Sequence, residues 1–359
     1  MKRASGLKSA SLFIGMASFV IALFASQVSA AAQDGTGTSP QAGRLRATKV
    51  QPPPKENTKA PPSPKEKMNA WTVGLAGGLL EGAPIRLAAE IARVVDDGDN
   101  LLVLPIVTRG ATENLNSLLY LRGVDMAIIN ADALEEYKIQ VPQIQQRISY
   151  VLNLFPSELH VFVRPEIKSL QDLAGKKVNF NTQGTAAAYS GPLIFGRLGI
   201  DVDKTFIPHQ VALQQMKSGD VAAVVFITSK PVDAFLKGRW EPGFKFLPVE
   251  YASKFEDYYL PTTLEANEYP GLIQQGERIA TIAVPTALVT FNWPPGSNRY
   301  QRVARFVDNL FSRIGALQGP GFDPKWKAIN LAARVPSLSR FQAAQDWLDR
   351  NAANRQTAR

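Results

Sequence analysis

The chain has 359 residues, 45% of them hydrophobic, with a formal net charge of +9, two histidines and no cysteine. That is enough apolar length for a two-lobed α/β protein, and the missing cysteine excludes disulfides, thiolate metal sites and a lipid-bearing cysteine. The charge does not indicate nucleic acid, because residues 1–30 carry +3 and residues 31–68 carry +4, which leaves +2 over 69–359.

Residues 1–30 read as a cleavable secretion signal. Lys2, Arg3 and Lys8 precede an apolar run from about Leu12 to Phe24, and Val28, Ser29 and Ala30 form a small-residue cleavage site. The apolar run is shorter than the roughly 20 residues a membrane-spanning helix needs, which argues against an uncleaved anchor. A periplasmic location follows. Residues 31–68 are rich in Pro, Gly, Thr and Lys and poor in large apolar residues, so they are expected to form a disordered linker. The alternative, a basic arm on anionic lipid or cell wall, is disfavoured by the wide spacing of the cations.

From residue 69 onward short apolar runs alternate with amphipathic ones, the signature of βαβ units and a mostly parallel sheet. A strand over 71–76 leads through a glycine-rich loop, 77–82, into a helix reaching about Val95, on which Ile85, Ala88, Ala89 and Ala92 share one face. A strand over 101–107 runs into the polar loop 108–114 and a second helix. Another strand, 125–130, ends at a helix start near Asn130 and Asp132. Two apolar runs, 149–155 and 159–163, are separated by Pro156 and Ser157. A strand over 177–181 is followed by Thr182, Gln183, Gly184, Thr185 and a helix to about Leu198, and a strand over 221–227 stops at 228–231, where Pro231 suits the first turn of the next helix. A late strand over 281–290 is expected to return the chain to the first lobe. The resulting division is 69–153 plus 263–359 for lobe 1 and 154–262 for lobe 2.

Catalytic machinery is sparse. Neither His160 nor His209 has a partner at metal-ligand spacing, so each is read as a structural or surface residue, and no nucleophile elbow or phosphate-binding loop occurs. No catalytic group, metal or cofactor is expected. Four candidate helix N-termini remain: 77–82, 110–114, 183–185 and 229–230. Unpaired N–H groups and partial positive charge there suit a carboxylate or zwitterion. The candidate ligand-binding residues are Gly77, Gly78, Arg109, Gly110, Thr112, Asn114, Asn130, Asn181, Gln183, Gly184, Thr185 and Lys230. Arg109 and Lys230 would supply full charges. Two plainer readings stay open, Thr112 as a helix cap and Arg109 as a solvated loop cation.

Over roughly residues 70–315 these motifs resemble the TAXI-type solute-binding proteins of tripartite ATP-independent periplasmic (TRAP) transporters. The family's Thr-x-Gly-Ser-x-x-Asn-Leu block corresponds to residues 108–115, its Gly-x-x-Asp block to Gly123 through Asp132, and its Ser-Leu-x-Asp-Leu-x-Gly-Lys-x-Val run to residues 169–178. Gly184 and Thr185, then 218–222, 258–262 and 284–290, follow in the family's order. The resemblance implies a type II periplasmic-binding-protein fold, two α/β lobes with a crossover hinge. It also implies a small-molecule solute and the permease subunits of a TRAP transporter as partners, with the receptor acting as a monomer. Three departures fall on the pocket: the first glycine loop is altered, Gln183 stands where serine is common, and Lys230 where a small residue is common. The rival functions are a same-fold receptor serving an ABC transporter or a sensor, and an exported hydrolase or lyase.

Overall fold

The computed structural model describes residues 63–357 except Glu81, so the expected signal over 1–30 and the linker up to 62 lie outside the described residues. Helix α1 (Pro64–Ala70) opens the described chain, because Ser63 accepts from the Glu66 N–H while the Glu66 carboxylate takes the Ser63 N–H in a reciprocal cap. The linker boundary read at 68 therefore falls inside a helix. A reciprocal cap outweighs a proline-rich composition there.

Strand β1 (Thr72–Gly78), helix α2 (Ala83–Val95), strand β2 (Leu102–Val107), helix α3 (Ala111–Tyr120) and strand β3 (Met126–Asn130) build one parallel stretch of sheet with the strands in the order β2-β1-β3. Helix α2 turns Ile85, Leu87, Ala88, Ile91, Ala92 and Val95 inward at helical spacing. After short helices α4 (Leu134–Tyr137) and α5 (Ile144–Arg147) comes β4 (Ile148–Val163), a single 16-residue strand. Two separate strands were expected here, with Pro156 as the break. The ladder continues because Pro156 lies opposite Pro285, so neither strand offers a donor at that level, and the register shifts at the next pair.

The second half of the sheet contains β5 (Lys177–Asn179), α6 (Ala186–Leu198), β6 (Asp203–Thr205), α7 (His209–Ser218), β7 (Ala223–Thr228), the single turn α8 (Asp233–Leu236), and strands β8 (Lys245–Leu247) and β9 (Leu260–Glu265). Strand β10 (Arg278–Phe291) follows, then α9 (Asn298–Leu317), β11 (Ser339–Arg340) and α10 (Gln342–Thr357). The full order is β2-β1-β3-β10-β4-β7-β5-β6. Strands β4 and β10 run antiparallel through both halves: β10 meets β3 over 286–290 and β9 over 278–283, and β4 meets β7 over 158–163. One apolar core is continuous from Ala76 and Ile129 to Val178 and Phe180. A second lies under α2 and α9, and a third, rich in rings, gathers Phe162, Phe226, Phe235 and Tyr269. Among the described residues no helix is long and apolar enough to cross a membrane.

Candidate functional site

The C-terminal ends of β1, β3, β5 and β7 point toward one cavity of about 500 Å³, walled by loops of both halves of the sheet and floored by the middle of β4 and β10. This is where an open α/β sheet places ligands, because helix N-termini and unpaired strand ends meet there. On the floor, Asn130 Nδ2 lies 3.4 Å from Thr286 Oγ1, which is 2.8 Å from Ser157 Oγ. All three side chains are buried, and together they present neutral donors and acceptors.

Eight of the expected residues line this cavity: Gly77, Gly78, Gly110, Asn114, Asn130, Asn181, Gly184 and Thr185. Several are bound up in structure. Asn114 accepts from Thr108 Oγ1 and donates to Ile128 O at 2.7 Å, and Thr185 caps α6 by accepting from Ala188 N while its hydroxyl donates to Thr182 O. Gly110 and Gly184 come from opposite halves and touch through their backbones. A Cβ on Gly110 would lie 1.6 Å from Gly184 O, and one on Gly184 1.9 Å from Arg109 O. Only a residue without a side chain permits that approach.

Four expected residues are not in the cavity. Arg109 is 83% exposed and pairs with Glu113 at 3.1 Å. Its side chain lies outside the cavity, where Glu113 one turn on captures it. Thr112 and Gln183 lie with Arg109 on a separate outer depression beside Tyr120 and Tyr137. Thr112 does not cap α3 either, since that role falls to Gly110 and the helix begins at Ala111. Lys230 is withdrawn by a 2.8 Å ion pair with Glu268 and by donation to Thr263 O at 2.5 Å. Its N–H goes to Glu158 Oε2, and it starts no helix: Pro231 precedes α8, which is capped by Val232. The side chains of Arg109 and Lys230 are thus turned to these carboxylates and do not line the cavity.

Residues not singled out as ligand contacts from the sequence also line the cavity. His209 lines the wall, stacked on Phe226 with ring centroids 3.4 Å apart. Its Nε2 lies 2.9 Å from Val225 O; a carbonyl only accepts, so Nε2 carries the proton and Nδ1 keeps a lone pair. Burial pushes its pKa down to about 4, which leaves the ring neutral. Phe155 adds a second aromatic surface. At the mouth stand Arg86, Lys325 and Asp233. Arg86 and Lys325 both approach Asp323, at 3.6 and 3.4 Å, and Asp233 is held below its ordinary range by its pair with Lys237, with smaller help from Arg86 and Lys325. No sequence motif marks Arg86 and Lys325, because they meet only through the packing of α2 against the segment before α10.

The described residues contain no group of three or more His, Asp or Glu arranged to hold a metal ion. The model of the NMT1-like family matches residues 86–319. The chain belongs to the NMT1-like family. No curated protein matches this NMT1-like chain. Among solved structures it is similar to YhfZ from Shigella flexneri, at 15% identity over 72% of this chain and 99% of that one, with a TM-score of 0.41. It is also similar to a putative sulfonate ABC transporter's periplasmic sulfonate-binding protein SsuA from Methylobacillus flagellatus KT, at 12% identity over 69% of each chain and a TM-score of 0.40. The periplasmic domain of BvgS from B. pertussis is 16% identical over 74% of this chain and 47% of that one, with a TM-score of 0.37. The fold of this NMT1-like protein is mixed α/β, with parallel βα units on either side of two long antiparallel strands.

Proposed function

We propose that this NMT1-like protein is a periplasmic solute receptor that encloses a small anionic or zwitterionic metabolite and delivers it to a TRAP-type membrane permease. In this reading residues 69–153 and 263–359 act as one lobe and 154–262 as the other. The protein is secreted, works as a monomer, and performs no chemistry on its cargo. The observation that carries the reading is the cavity itself: its walls come from both halves of the sheet, and the halves touch at Gly110 and Gly184. A ligand bonded to both walls favours the closed arrangement by its differential affinity for closed over open. Asn130, Ser157 and Thr286 supply neutral hydrogen bonds on the floor, while Phe155 and the His209–Phe226 stack pack against the apolar part. The permease assignment rests on the run of TAXI-type motifs from residue 108 to residue 290.

Mass spectrometry under native conditions, on protein purified gently and without dialysis, tests the receptor reading. One small molecule per chain, released unchanged on unfolding, is the expected result. Conversion of that molecule by the protein would replace the reading with an enzymatic one. Uptake of the released solute into vesicles holding a TRAP permease, dependent on added receptor, tests the delivery step.

A further inference from the structure

Charged side chains gather at the mouth of the cavity, whereas the polar groups of its interior are uncharged. Two cations, Arg86 on α2 and Lys325 more than two hundred residues later, share the single carboxylate of Asp323. Asp323 is itself committed, since it caps the turn that follows by accepting from Lys325 N at 3.0 Å. Two further carboxylates stand nearby: Asp233, paired with Lys237 at 2.6 Å, and Glu90, which accepts from Asp323 N at 3.1 Å and from Trp326 Nε1 at 2.6 Å. Arg86 and Lys325 therefore share one carboxylate, and neither has it to itself. The Lys325 ammonium also lies 5.9 Å from the centre of the Phe155 ring, a wall of the same cavity. Inside, the polar surface is amide, hydroxyl and neutral imidazole.

We propose that Arg86 and Lys325 form the anion subsite of this cavity, holding the carboxylate of a small organic acid at the mouth while its uncharged apolar or aromatic body occupies the interior against Phe155 and the His209–Phe226 stack. The subsite deepens the receptor reading and rests on it. A carboxylate here accepts from both cations in place of part of their bond to Asp323. It sits where Arg86, 60% exposed, remains free to follow it. A guanidinium and an ammonium differ in kind, the first offering a planar fork and the second a point charge, so together they suit an oxyanion better than a cation or a neutral amide.

The test uses acid and amide pairs that differ only in charge: 3-phenylpropanoate with 3-phenylpropanamide, and 4-methylpentanoate with 4-methylpentanamide. Binding is followed by calorimetry on the full chain. The acid of at least one pair should bind about tenfold to a hundredfold more tightly than its amide, the range expected for a charge-assisted hydrogen bond. R86Q and K325M should each lower acid affinity toward that of the amide and leave amide affinity unchanged. D323N retains a capping side chain and frees both cations, so it should strengthen acid binding. R109Q, outside the cavity, serves as the control for loss of general surface charge. Equal binding of acid and amide, or an acid-to-amide ratio unmoved in R86Q and K325M, overturns the subsite while the receptor reading stands. If neither member of either pair binds, the subsite for small apolar acids is overturned, and native mass spectrometry decides separately whether the receptor reading falls with it.

Discussion

Gly184→Ala isolates the contact between the two halves of the sheet. A Cβ at this position would stand 1.9 Å from Arg109 O and 2.9 Å from Arg109 C, where a carbon–oxygen contact normally needs about 3.3–3.6 Å. The loops must separate there by about 1.5 Å. Gly184 also has φ +87, and an L-residue held in the left-handed region costs about 1–2 kcal/mol irrespective of what surrounds it. Gly199→Ala separates the two effects: Gly199 has φ +74 at the end of α6, and a Cβ there would meet nothing within 4 Å. Both variants should therefore lose a few degrees of Tm. Only G184A should lose affinity, because a 1.5 Å gap removes two or three hydrogen bonds from one wall, about 1 kcal/mol each, or about thirtyfold to a hundredfold in Kd. Calorimetry with the co-purified solute measures the affinity, and small-angle scattering with and without solute measures the compaction. Wild-type affinity and full compaction in G184A would refute the view that this contact belongs to the ligand-bound state.

Between pH about 4 and about 7 two buried carboxyls should withdraw stability as pH rises, against the buried imidazoles of His160 and His209, whose pKa values burial lowers to about 3 and about 4 and which add stability over the same range. Burial raises the Asp132 carboxyl to about 6, against the opposing hydrogen bond from Tyr259, and raises Glu158 to about 7 despite the Lys230 N–H. For a carboxyl raised in the folded state the native chain holds its proton more tightly, so ionisation above its ordinary range weakens the fold, by roughly 3 kcal/mol for each group once it is complete. Relative to wild type, D132N should gain Tm as pH rises through the lower part of this range and E158Q through the upper part; curves for both variants that run parallel to wild type would contradict the assignment. R109A, which breaks only an exposed pair, should change neither Tm nor solute affinity measurably, whereas K230A should lower Tm through loss of the half-buried Glu268 partner and leave affinity within about threefold. A hundredfold loss of affinity in R109A, by calorimetry, would restore the outer cation to the site. Deleting residues 31–62, a stretch with almost no large apolar side chains, should leave the Kd for the solute unchanged, and a weakened Kd would place that stretch in the site.

The sequence by itself determined the alternating α/β character of the fold and the level of the sheet at which the cavity lies. Alternating strands and amphipathic helices are local signals, and so are the glycines and small polar residues at the C-terminal ends of β1, β2, β3 and β5 and just beyond them, which is why Gly77, Gly78, Gly110, Asn130, Asn181 and Gly184 could be placed at the cavity from their spacing along the chain. Charge could not be placed in that way. A long cationic side chain reaches several ångströms from its backbone and turns toward whichever carboxylate the folded chain brings near. For Lys230 that partner is Glu268, and for Arg109 it is Glu113, both of which draw the cation away from the cavity. Arg86 and Lys325 reach its mouth because α2 and the turn after Asp323 pack together, a juxtaposition across most of the chain that no local spacing records. The same holds for Pro156, a strand breaker by its own chemistry, which stays within one long strand because Pro285 faces it and neither partner asks for a hydrogen bond. Backbone propensity is settled by neighbours along the chain, whereas the direction of a charged side chain is settled by neighbours in space, and only the tertiary structure supplies those.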